Sequence, residues 1–251
     1  MDWSKAKNIL IIALLATNFI LIGAIYVEKA EVRSSDEATL RGDTVLLLKE
    51  HGIYVEEDMI PEKDQRLPVL FVKYEEGDQS VIASVLENSD IYIEKGAGEE
   101  AYRQAADKLI LLAGFYRKSM VYQNVIAEEE TVTVNYGMEY EGFSVDNSQM
   151  IVTFEHGKPV SIIRRWAEPF SMGKNKKQVM PALTALIKFM TEQEAAASEE
   201  ERDDIFIEEI RLVYWLEGYA ESDNVSEDTA VPYWCIHYNG GQLSYIAAYE
   251  Q

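Results

Sequence analysis

The chain has 251 residues, 44 acidic against 23 basic side chains, and a formal net charge of −21. A surface that negative repels nucleic acid and anionic lipid head groups, which excludes polyanion binding as a main role. Apolar residues make up 47 % of the chain and tyrosines number 15, which suits a folded, strand-rich domain rather than a disordered stalk. A lone cysteine excludes an internal disulfide, so the fold has to rest on its core.

The first element in chain order is a membrane span. Asn8 to Val27 are 20 residues without a charge. As a helix they extend about 30 Å, one hydrocarbon core. Their only polar side chains are Asn8, Thr17 and Asn18, so there is no amphipathic stripe. Ala24 to Ala30 hold no small-x-small cleavage pattern, and Cys235 is far from any lipobox, which favours an uncleaved anchor over a signal peptide. Lys5 and Lys7 precede the span, whereas Glu28 and Glu31 offset Lys29 and Arg33 after it. That bias puts the N-terminus inside and the bulk of the chain outside. The expected organisation is a cytoplasmic N-terminus (1–7), a transmembrane helix (8–27), a linker (28–35) and two extracytoplasmic α+β lobes (36–127 and 128–251) of a single-pass cell-membrane protein.

Within the span, Ala13, Ala16, Thr17, Ile20 and Gly23 or Ala24 fall on one side. Small residues let a second helix approach closely, and an amide such as Asn18 at bilayer depth is costly without a partner. These seven residues are the candidate transmembrane interface. The other reading is a helix alone in lipid, with Thr17 bonded back to its own carbonyls.

Beyond the linker, Leu46, Leu47 and Leu48 carry a helix to a stop at His51-Gly52. Strands are expected at Val69–Tyr74, at Ser80–Leu86 after a Glu-Gly-Asp turn, and around Ile91 and Ile93. A second helix buries Ala101, Ala105, Leu109 and Leu112. Strands follow at Val121–Ala127, Thr131–Tyr136, Met150–Phe154 and, past a turn at His156-Gly157, Val160–Trp166. Asp146-Asn147-Ser148 reads as a turn. Pro181 seeds a third helix that buries Leu183, Leu186, Ile187 and Met190. The acidic, Ala-rich tract Glu192–Asp204 lacks the alternating ligands and glycine of a calcium loop. Ile205–Glu217 is a long strand with Phe206, Ile210, Leu212, Tyr214 and Leu216 mostly on one face. Ala230–Tyr238 and Leu243–Tyr249 form a hairpin around Asn239-Gly240-Gly241. Hairpin-linked strands between single helices imply antiparallel sheets, each packed with a helix.

Chemistry-bearing motifs are scarce. His51, His156 and His237 do not pair at ligand spacing, and no nucleophile elbow or phosphate loop is present. Cys235 and His237 could share a strand face as a thiol–imidazole pair, or be a packed thiol beside a surface imidazole. Glu155, Glu168 and Glu208 could be cast as glycosidase acids, but sequence cannot set two of them across a sugar. Asn224-Val225-Ser226 reads as a loop. Tyr214, Trp215, Tyr233, Trp234, Tyr238, Tyr245 and Tyr249 cluster near the C-terminus. They fill a core, or one set of them forms a binding surface for a peptide or wall fragment. No catalytic residue, cofactor or metal site is expected.

Met1 to Asn8, with Asp2-Trp3-Ser4-Lys5 directly before a single anchor, resembles the start of the YycI (WalI) family. Leu46 to Val55, Met138 to Val160 and Ala230 to Glu250 resemble later parts of the same family, so the resemblance runs the whole length. It implies a bitopic protein with a PepSY- or YycH-like α+β domain outside the cytoplasmic membrane of a Gram-positive bacterium. It also implies a complex with the sensor histidine kinase WalK/YycG and with YycH, modulation of cell-wall two-component signalling, and no enzymatic activity.

Overall fold

The computed structural model describes residues 39–62, 65–196, 203–216 and 227–249. The expected span 8–27, its flanks 1–7 and 28–35, the interface residues Ala13, Ala16, Thr17, Asn18, Ile20, Gly23 and Ala24, and the Asn224 triplet lie outside them. Among the described residues no helix is long and apolar enough to cross a membrane.

Helix α1 (39–50) stops where Gly52 takes φ +75° and donates its N–H to the Lys49 carbonyl. This left-handed helix end is one that glycine adopts without strain. It leads into β1 (Ile53–Tyr54), a 3-10 turn (Glu57–Met59), β2 (Arg66–Leu67) and β3 (Leu70–Glu76). Helices α2 (Gln79–Asn88) and α3 (Glu99–Leu112) come next. They are followed by the meander β4 (Met120–Glu128), β5 (Thr131–Tyr140), β6 (Phe143–Glu155) and β7 (Lys158–Met172). Then come β8 (Lys177–Gln178), α4 (Ala182–Ala196), β9 (Ile205–Trp215), β10 (Glu227–Tyr238) and β11 (Gln242–Ala247). The class is α+β. The described strands form one nine-stranded sheet, ordered β1-β9-β10-β3-β7-β6-β5-β4 with β11 on β10, and a separate β2–β8 ribbon. Pairing is antiparallel except for β1–β9 and β6–β9.

Two cores lie on this sheet. The first is built under α2 and α3 from Val72, Leu109, Ile110, Val134, Tyr136, Met150, Val152, Phe154 and Trp166. The alternation of Met150, Val152 and Phe154, each 0 % exposed, is the period-2 pattern of a half-covered strand. The second core joins Leu48, Ile53 and Ile60 to Leu186, Phe189, Trp234, Ile236 and Ile246. The lobes are therefore divided differently from the expected 36–127 and 128–251. The 127/128 boundary falls inside the β4–β5 hairpin, where Ala127 pairs with Val132 and Glu128 with Thr131. Apart from Tyr214, Leu216 and Ala230, the first core is contiguous in sequence, and the second takes its residues from both sides of it.

Other expectations are corrected by local chemistry. Ser80–Leu86 is helical, not extended: Asp78 caps α2 by accepting from the Ser80 N–H at 2.9 Å, and Val81, Ile82, Val85 and Leu86 repeat on one helix face. Ile91 and Ile93 belong to a loop. The Ile93 N–H donates to the Gly157 carbonyl at 2.9 Å, and a Cβ on Gly157 would lie 2.0 Å from the Ile93 carbonyl oxygen, so only glycine fits there. In α3 the buried face is Ala106, Leu109 and Ile110, while Leu112 is exposed. In α4 it is Ala182, Ala185, Leu186, Phe189 and Met190, with Ile187 turned outward. In β9 a register shift opposite His237/Tyr238 breaks the alternation, leaving Phe206 exposed and Ile207 buried.

Asp146-Asn147-Ser148 is a bulge in β6 rather than a turn between strands. Gly137 pairs with Gln149 and Met138 with Val145, so these three residues have no partner on β5. Asn147 sits at φ +69°, a conformation asparagine tolerates better than most residues. At the start of this bulge Val145, still paired with Met138 of β5, and Asp146, which is free of β5, pair with Tyr214 and Trp215 of β9. The pairings β3–β7, β7–β6, β6–β9, β9–β10 and β10–β3 thereby form a closed circuit joining both cores. Tyr214, 0 % exposed, donates from its hydroxyl to the Pro68 carbonyl at 3.0 Å, and burial pushes that hydroxyl up to about 12.

An ion cluster holds the segment after α3. The Glu75 carboxylate accepts from Arg117 at 2.7 Å and from Arg164, whose side chain is 3 % exposed and whose guanidinium lies 4.8 Å from the Phe115 ring centre. Burial alone would raise Glu75, but the two guanidiniums outweigh it and hold the carboxyl below its ordinary value.

Two expectations arise here. Asn147→Ala loses a tolerated left-handed residue and the Asn147 Nδ2 bond to the Leu216 carbonyl at 3.0 Å. It is expected to cost about 2 kcal/mol in urea unfolding, and an unchanged midpoint would contradict the bulge's role. For Glu75, a depressed carboxyl stabilises above the unfolded-state pKa, and that stability is lost as pH falls through the folded-state value. The stability gap between the native chain and Glu75→Gln should therefore be full at pH 7 and shrink below about pH 4. A gap independent of pH would rule out the ion cluster as its source.

Candidate functional site

Where β6 meets β9, the bulge presents Asp146 to the face of β9, β10 and β11 that lies away from the second core. Register places Cys235 between Arg211 of β9 and Tyr245 of β11. The Tyr245 hydroxyl donates to Asp146 Oδ2 at 2.9 Å, and Ser144 Oγ donates to Asp146 Oδ1 at 2.8 Å. Arg211 donates to Ser144 Oγ at 3.1 Å and lies 3.4 Å from Asp146 Oδ2. Both carboxylate oxygens are thus engaged, and the Asp146 side chain is 10 % exposed.

The electrostatics follow from burial. Desolvation would lower Arg211, but the Asp146 charge reverses this and raises it. Burial and then Asp146 push the Tyr245 hydroxyl up, and burial pushes the Cys235 thiol up to about 11. A thiol so protonated is a poor nucleophile. The thiol's charged and polar neighbours are Asp146, Arg211 and Tyr245, whereas His237 Nε2 lies 3.7 Å from Glu209. The thiol and the imidazole thus have different nearest partners on one strand face, with Arg211 between them, 3.4 Å from Asp146 and 3.8 Å from Glu209. Glu168 accepts from Trp166 and Ser119, and Glu208 accepts from the Gly240 N–H. Neither is set opposite a second free carboxylate by these bonds. Among the described residues, no group of His, Cys, Asp or Glu is arranged to hold a metal.

The aromatic cluster divides by strand parity. Tyr214 and Trp234 are core residues, and the Trp234 indole donates to the Met180 carbonyl at 2.9 Å. Trp215 and Tyr245 are half-buried on the outer face with ring centres 3.8 Å apart, and Tyr233 lies 6.4 Å from Trp215. This aromatic step beside Asp146 and Arg211 offers stacking area with polar groups at its margin.

A second surface lies at the other side of the second core. Val45 and Lys49 of α1, Ile53 and Tyr54 of β1, Val55, Met59, Phe206 and Ile207 border a groove of about 380 Å³. Tyr54 and Phe206 stack at 5.0 Å. Leu40, Leu46 and Phe206 remain more than half exposed at 57 %, 61 % and 55 %. Of these, Phe206 borders the groove, and an apolar groove with an exposed aromatic at its rim is the kind of surface that takes a partner. The sequence pattern missed it because three successive leucines suggested only a buried face; of them, Leu48 alone is fully buried.

The buried thiol leads to a direct check. At pH 8 a thiol with pKa about 11 is ionised in roughly one molecule per thousand. Iodoacetamide should therefore label Cys235 of the native chain at least about 100-fold more slowly than the urea-unfolded chain. Comparable rates would mean an open, reactive cysteine.

No protein-family model matches the sequence, and no curated protein sequence matches it. Among solved structures the chain is similar to the Bacillus megaterium YpeB C-terminal domain, at 12 % identity and a TM-score of 0.36, over 65 % of this chain and 65 % of that domain. A likeness of that size decides nothing about fold or function.

Proposed function

We propose that this chain is a non-enzymatic, membrane-anchored regulator of a cell-wall two-component system. In this reading the segment 8–27 spans the cytoplasmic membrane beside the helices of a WalK/YycG-type sensor kinase. The folded domain outside docks on a YycH-type partner or on the kinase's sensor region. The carrying observation is the exposed apolar groove of α1, β1 and Phe206, whose α1 and β1 parts come soon after the uncharged run 8–27 in sequence. The family resemblance of the Asp2-Trp3-Ser4-Lys5 cap points the same way. The Asp146 cluster adds support, since its carboxylate is saturated by donors and its thiol is protonated, which is the arrangement of a structural clamp.

Regulation then requires only differential affinity for two kinase states. A shift from 1:99 to even population needs about 100-fold, or roughly 2.7 kcal/mol. A second reading, a module for extracytoplasmic peptides or wall fragments, draws on the Trp215–Tyr245 step. It would show as a melting-temperature shift of the full chain on adding muropeptides, lost in Trp215→Ala.

The test of the main reading uses the full chain in membranes. Exchanging 8–27 for an unrelated spanning helix, or introducing Leu46→Glu with Phe206→Glu, should each reduce co-purification of the kinase and the YycH-type partner by about tenfold. Normal insertion and melting temperature should be retained. Undiminished association in both variants would sink the proposal.

A further inference from the structure

We infer that β4 is a homotypic docking edge, which pairs antiparallel with β4 of a second copy of this chain. β4 ends the strand order of the nine-stranded sheet and has one strand neighbour, β5, among the described residues. Its outward row of N–H and C=O groups is a template for another strand. Natural edges are guarded by brevity, lysine or proline. The opposite edge, β1, is two residues long, whereas β4 has nine, and Met120 to Ala127 carry no charge and no proline. The one irregularity in the β4–β5 register falls at Gln123, whose amide lies over Gly137 of β5. Ile126 is 46 % exposed.

The charges at the two ends identify the occupant. The exposed Lys118 precedes β4, and the exposed Glu128, Glu129 and Glu130 follow it. A two-fold axis near Asn124 sets the basic end of each strand beside the acidic end of the other, and the uncharged middles face one another. This is the self-complementarity that an isologous contact demands. The net charge of −21 opposes association at long range, but screening over about 8 Å at physiological salt leaves the local pairing to decide.

The experiment uses the full chain in its membrane. Asn124→Cys, near the axis, should give a disulfide-linked dimer under mild oxidation, and Gln242→Cys on the β11 edge should not. Adding Lys118→Glu should lower the linked fraction about tenfold, because it sets like charges together twice per dimer. Further adding Glu128→Lys and Glu129→Lys should restore it. Equal linking at Asn124→Cys and Gln242→Cys, no linking at Asn124→Cys, or indifference to charge reversal would each overturn the inference.

Discussion

The end of β9 is held between β6 and β10, and the rest of the architecture depends on that insertion. Without it, the meander β4–β7 and the β9–β11 sheet would meet only through β3. The two-residue parallel contact of Val145 and Asp146 with Tyr214 and Trp215 closes the circuit. It requires three residues of β6 to leave β5, which is why a left-handed asparagine stands in the middle of a thirteen-residue strand.

Magnitudes decide what holds this junction. The Asp146–Arg211 pair is 3.4 Å apart with the arginine 34 % exposed. Pairs of that kind contribute at most about 1 kcal/mol. Tyr214, Leu216 and Ala230 are each 0 % exposed, and a large apolar side chain fully buried contributes roughly 1.5–3 kcal/mol. Apolar burial therefore supplies the adhesion. The polar cluster supplies orientation, because Asp146 satisfies donors from Ser144, Arg211 and Tyr245 only when the strands sit in this register.

Much of this fold was legible in the chain. Strict alternation from Met150 to Phe154, the Asn-Gly-Gly turn and the proline before α4 all led to the right elements. The failures have local causes. Val81, Ile82 and Val85 are β-branched and read as a strand, yet an aspartate cap and their spacing at one and four residues were available as the opposing signal. The lobe boundary was misplaced because an acidic Glu128–Glu130 turn looks the same between domains as between two paired strands. Of the site, the shared face of Cys235 and His237 followed from parity. Its real neighbours, Asp146 and Arg211, come from distant strands, and only tertiary register brings them there.

The division of the second core between distant stretches of chain bears on the order of assembly during synthesis. Residues 70–172 contain nearly everything the first core needs and can collapse while the C-terminal part is still on the ribosome. Leu48, Ile53 and Ile60 emerge earlier still, but they pack with Ile246 and Ala248. The nascent protein must therefore carry an unsatisfied apolar face on α1 until α4, β9, β10 and β11 have emerged to complete that core.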